Sequence, residues 1–159
     1  MKLRLETPIN APADTVWKTL GTDFVDIDTW AGFVKTSRAM TASEVPASIE
    51  VPANAPVPGR ETMTKVKVQE VITAYSDEER SLTFQGIGLP KVIRLVQDKQ
   101  SVIPTSDTSC TAVFDVTMEF MPPFGFMGSF MKKRMSKQFS EILDDLKSHS
   151  ESMHAESMS

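Results

Sequence analysis

The sequence predicts an α+β fold in which a curved antiparallel sheet of six to seven strands wraps around one long C-terminal helix. Two observations carry this. Between Arg60 and Met121, runs of strand-forming residues are separated by tight turns such as SDEER and TSDTS, the pattern of an antiparallel meander. After Pro122 and Pro123, Met127, Met131, Met135, Phe139, Ile142, Leu143 and Leu146 recur at helical spacing, with Lys133, Lys137, Ser140, Glu141 and Asp144 opposite. A sheet with one apolar face and a helix with one apolar stripe must bury them against each other.

The elements follow in order. Residues 2 to 10 alternate Leu3, Leu5, Thr7 and Ile9 against Lys2, Arg4, Glu6 and Pro8, a strand with one buried face. Pro12 suits a first helical position, Asp14 suits the positive end of the helix dipole, and Gly21 ends that helix. The stretch DFVDIDTW, residues 23 to 30, predicts a second short helix with Phe24, Ile27 and Trp30 on one side. A strand is expected over residues 32 to 40. Residues 42 to 59 then form a long loop whose prolines, Pro46, Pro52, Pro56 and Pro58, make it stiff. An excursion of that length is either a functional lid or an insertion without a role.

Further strands are predicted over residues 60 to 66, 67 to 75, 81 to 86, 91 to 103 (ending at Pro104) and 110 to 121. The last helix is expected from residue 126 to 148. Residues 149 to 159 lack apolar periodicity and predict a frayed tail beyond a single domain of residues 1 to 148.

A chain of 159 residues with 40% hydrophobic and 24% charged residues suffices for one packed domain. The net charge of −4 and the absence of a basic run argue against nucleic acid as a partner. Cys110 is the single cysteine, so no internal disulfide forms, and it reads as a small buried residue. His149 and His154 have no ligand set around them, so neither a metal nor a cofactor is expected. No apolar run approaches the ~20 residues that span a bilayer. A cytoplasmic protein without integral membrane association is the expectation, as a monomer or a dimer.

Several stretches together resemble the START-like superfamily, also called SRPBCC, and within it the polyketide cyclase/dehydrase-like proteins. They are INAPADTVW, DFVDIDTW, PGRETMT, QEVITAYSDEERSLTF, GLP and the strand ending at Pro122 before a Met-rich helix. The resemblance spans residues 3 to 148. It implies the helix-grip fold, with a cavity between sheet and C-terminal helix for a small hydrophobic or amphipathic molecule.

Methionine is the flexible choice for a helix stripe, suited to surfaces that re-pack. The stripe either packs on the sheet, or its N-terminal part, Met127, Met131 and Met135, lines a cavity while Phe139, Ile142 and Leu146 form core. Glu70 shares strand parity with Val66, Val68, Ile72 and Ala74, which places a carboxylate on an apolar face. Such a group requires a partner or a raised pKa. The resemblance implies that Glu70 faces the pocket, and that an acid at the position of Asp115 does so too. Arg60 and Arg94 are candidate partners for these acids or for a ligand carboxylate. Phe84, Trp30 and Phe24 complete the expected ligand-binding set, the last two at the cavity's rim.

Three functions follow from this reading. The first is a carrier or sensor of a lipid- or polyketide-like ligand. The second is a cyclase or dehydratase with Glu70 and Asp115 as catalytic carboxyls. The third is a protein-interaction or co-chaperone module with a filled core.

Overall fold

The computed structural model describes residues 1–159. Seven strands form one antiparallel sheet: β1 (Lys2–Ile9), β2 (Thr36–Ala39), β3 (Gly59–Met63), β4 (Lys67–Ser76), β5 (Ser81–Ile87), β6 (Ile93–Ser106) and β7 (Ser109–Phe120). Their spatial order is β1-β7-β6-β5-β4-β3-β2, so the chain crosses over once, from β1 to the far edge, and then meanders back. Register irregularities between Ile72 and Ala74 and between Ile93 and Leu95 bend the sheet.

Helix α1 (Ala13–Trp17) runs directly into a π-helical turn over Lys18–Thr22. Gly21 sits there because a side chain would collide with Trp17: a Cβ would lie 2.6 Å from the indole ring. A 3-10 segment, Phe24–Thr29, replaces the second helix expected over residues 23 to 30. The expected strand over residues 32 to 40 shrinks to Thr36–Ala39, since Val34 N–H turns back to the Ala31 carbonyl. Strand β6 continues through Pro104 to Ser106, with a shift in pairing that accommodates the missing N–H.

The long helix α2 (Met127–Met158) packs across the concave face. At ~1.5 Å per residue it is about 48 Å long. It extends past Ser148 through the segment expected to fray. No glycine or proline interrupts residues 129 to 159. Glu151 bridges Lys147 one turn back and accepts the backbone N–H of Asn10, fastening this part of the helix to the end of β1.

Three apolar clusters fill the space beneath α2. The largest joins α1 and the C-terminal half of α2 to the sheet through Val16, Trp17, Phe24, Leu82, Phe114 and Leu146. A second groups Leu3, Val116, Met118 and Met135. A third is Ile27, Ala31 and Val34. The clusters leave a gap where they meet.

The candidate ligand cavity

That gap is a cavity of about 270 Å³ between α2, the sheet and the 3-10 segment. Each cluster contributes to its wall: Phe84 and Ile142 from the first, Met135 from the second, Ile27 and Val34 from the third. Strand alternation sends Val68 and Glu70 of β4, and Asp98 and Gln100 of β6, toward it. The lining is therefore half apolar, with its polar groups concentrated on the sheet side.

Arg60 and Glu70 are cross-strand partners on β3 and β4. The Arg60 Nε donates to Glu70 Oε1 at 3.0 Å, with the guanidinium almost fully buried. Its Nη1 donates to the Phe24 carbonyl at 2.8 Å, and its Cζ lies 3.8 Å from the centre of the Phe24 ring. The cation thus has a carboxylate, a carbonyl and an aromatic face, which offset its desolvation. Gly59 permits the close pairing beside it, because a Cβ there would lie 2.3 Å from the Glu70 carbonyl oxygen.

Asp98 is the second carboxyl of the cavity. It stands opposite Phe84 on β5 and Val116 on β7 and is 4% exposed. Gln100 Nε2 donates to its Oδ2 at 2.9 Å, while its Oδ1 has no partner in the protein. Burial pushes its pKa up to about 7, against the hydrogen bond from Gln100 that favours the anion, with the nearby Glu70 charge adding to the rise. At pH below 7 the group is mainly a neutral acid with an O–H to donate.

Of the residues expected at the pocket, Glu70, Phe84 and Met135 line this cavity. The rest do not. Asp115 points to the outer face, where Arg4 Nη1 donates to its Oδ2 at 3.1 Å. On β7 the inward positions are Cys110, Ala112, Phe114, Val116 and Met118, so Asp115 has the wrong parity. Arg94 is likewise exposed and paired with Glu119 at 2.7 Å. Phe24 is buried core beneath Arg60, and Trp30 packs between two clusters rather than at the rim. Met127 and Met131 are half-buried nearer the start of α2, and Met131 packs on the second cluster.

Asp98 and Gln100 were not foreseen, and Arg60, expected to pair with an acid or with a ligand carboxylate, pairs with Glu70. The loop of residues 42 to 58 contributes no lining residue. It is held by Thr41 and Glu44, which cap its 3-10 turn, by the Arg38–Glu44 ion pair, and by Asn54 donating to the Tyr75 carbonyl. No group of three or more His, Cys, Asp or Glu side chains is arranged to hold a metal ion. Burial pushes the Cys110 thiol up, which lowers its thiolate fraction, in keeping with a small buried residue. No helix is long and apolar enough to cross a membrane.

The family described as polyketide cyclase / dehydrase and lipid transport matches residues 1–151. Comparison with curated proteins gives no match. Among solved structures, a START superfamily protein from Mycobacterium smegmatis is similar with a TM-score of 0.73 at 13% identity, over 96% of this chain and 98% of that one. Norcoclaurine synthase from Thalictrum flavumn, solved as a point mutant with a transition state analogue, is similar at 0.69 and 13% identity, over 94% and 93% of the two chains. The di-domain ARO/CYC protein BexL of the BE-7585A biosynthetic pathway is similar at 0.73 and 10% identity, with 92% of this chain covering 45% of that one. These likenesses bear on the START-like helix-grip fold.

Proposed function

The chain belongs to the polyketide cyclase / dehydrase and lipid transport family, and we propose that it takes up a small, largely apolar ligand whose carbonyl or hydroxyl oxygen accepts a hydrogen bond from Asp98. Family and fold are compatible with hydrophobic-ligand binding and with polyketide cyclase activity. The observation that carries the proposal is the orphaned Oδ1 of Asp98 at a cavity wall. A buried polar atom without a partner costs free energy that a bound acceptor recovers. An apolar cavity of about 150 Å³ holds benzene. A space of about 270 Å³ therefore suits a body of roughly two fused rings.

The remaining lining supports the same reading. Phe84, Phe139, Ile142 and Met135 supply apolar walls, and the Met135 thioether adapts to ligand shape. Glu70, fixed by Arg60, offers a second polar anchor. A module with a filled core leaves this cavity without a purpose.

A second reading, a cyclase or dehydratase, draws support from one feature. A carboxyl that titrates near pH 7 is suited to giving and taking a proton in a general acid–base step. In that reading Asp98 protonates an acceptor oxygen of the substrate, and Glu70 at the same cavity is the candidate base.

Native mass spectrometry of the freshly purified protein, followed by solvent extraction, tests the uptake. A discrete adduct lost in Met135→Trp supports it. A clean apo mass together with no uptake of fluorescent apolar probes overturns it. Turnover of an extracted compound that stops in Asp98→Asn while binding persists separates the enzyme from the carrier.

A further inference from the structure

An open vestibule of about 710 Å³ adjoins the cavity, and Phe33, Thr64 and Gln138 line both spaces. Three separate elements form it: the segment before β2, the β3–β4 turn, and α2. Each contributes cations, namely Lys35, Lys65, and Arg134 with Lys137. None of these four makes an ion pair or a side-chain hydrogen bond within the protein. Glu141 is the single acid lining the vestibule. In a chain of net charge −4, this is a local reversal of sign placed at the mouth of the cavity.

Unpaired cations lining a concavity raise the local concentration of anions and orient their approach. The inner end differs, since its one cation, Arg60, is already matched by Glu70, and the orphaned Oδ1 of Asp98 asks for an uncharged acceptor such as a carbonyl. The two spaces therefore select one polarity of ligand.

We propose that the vestibule binds the anionic end, a carboxylate or phosphate, of an amphipathic ligand whose uncharged, carbonyl-bearing body fills the cavity beneath. The inference rests on the reading of the cavity as a ligand site and adds the ligand's charge and its direction of entry. A neutral sterol-like molecule or an amine is not what these two spaces fit.

Matched fluorescent probes test it: a neutral naphthyl ketone, and the same ketone with a carboxylate or a phosphate ester on its acyl arm. The charged probes bind the wild-type protein about tenfold more tightly than the neutral one, the sum expected from several exposed ion pairs. High salt and the triple variant Lys35→Gln, Arg134→Gln, Lys137→Gln reduce that advantage to within about twofold, with the neutral probe unaffected. Whether carboxylate or phosphate binds better names the preferred anion, and either order supports the proposal. Equal affinity for neutral and charged probes, or an advantage that persists in the triple variant, overturns the vestibule while leaving the cavity reading intact. Failure of every probe to bind overturns both.

Discussion

Arg60 Nε lies 3.0 Å from Glu70 Oε1, and the same guanidinium stacks 3.8 Å above the ring of Phe24. One buried cation thereby joins strands β3 and β4 to the 3-10 segment that walls the cavity. Removing it strands a carboxylate and a carbonyl.

Arg60→Met is expected to destabilise the protein by roughly 2–4 kcal/mol, toward the lower end because the Glu70 side chain retains 21% exposure. Arg60→Met with Glu70→Gln should recover part of the loss, since the uncompensated charge is gone. Urea unfolding of the three proteins measures both numbers. A double variant no more stable than the single one contradicts this account of the pair.

Asp98 sets a pH dependence whose sign is fixed. Its folded pKa, about 7, lies above the ~4 of an unfolded aspartate. Below about pH 4 both states hold the proton and the group has no effect. Between about pH 4 and pH 7 the unfolded chain releases the proton first, so stability falls as pH rises, and above pH 7 the effect is constant. The total is roughly 4 kcal/mol at most. Asp98→Asn keeps an acceptor for Gln100 and removes the titration, so the variant gains on the wild type across that window. Thermal unfolding scanned over pH measures the gap between the two curves.

Met135→Trp is expected to fill the cavity and lower the affinity for apolar probes by more than about tenfold. Overpacking costs roughly 1–3 kcal/mol. Met127→Trp, outside the cavity, leaves probe binding unchanged. Fluorescence titration of both variants compares them directly.

Asp115→Asn and Arg94→Gln remove exposed ion pairs on the outer face. Each should change stability by less than about 1 kcal/mol and leave probe binding at the wild-type level. A loss of binding in either contradicts the placement of the site.

The reasons for the placement of these two residues show what the sequence reveals. Alternation with a single buried face exposed Glu70, because Val68 and Ile72 flank it two residues away on the same side. The antiparallel meander was legible from its tight turns and the apolar stripe of α2 from its helical spacing, whereas the pairing of β1 with β7 was not. Asp98 was hidden: Gln97, Asp98, Lys99, Gln100 and Ser101 are polar in succession, so no alternation marks a face. Only cross-strand register, which sets Asp98 between Phe84 and Val116, turns it inward. Asp115 was expected inward from the resemblance alone, whereas on β7 the buried Phe114 and Val116 beside it occupy the inner face and leave Asp115 on the outer one. The helical end of α2 was missed because its polar residues are ordered by contacts with Asn10 and Lys147 rather than by an apolar stripe. The vestibule joins Lys35, Lys65, Arg134 and Lys137, which no sequence window contains.

The central claim is that a neutral Asp98 donates to an acceptor oxygen of a bound ligand. Titrating the neutral naphthyl ketone into wild type and Asp98→Asn across pH 5 to 9 tests it most directly. The account predicts wild-type affinity that falls as pH rises through about 7, and affinity in Asp98→Asn that is independent of pH. A wild-type affinity that is flat over the same range, or that falls in parallel in the variant, would contradict it.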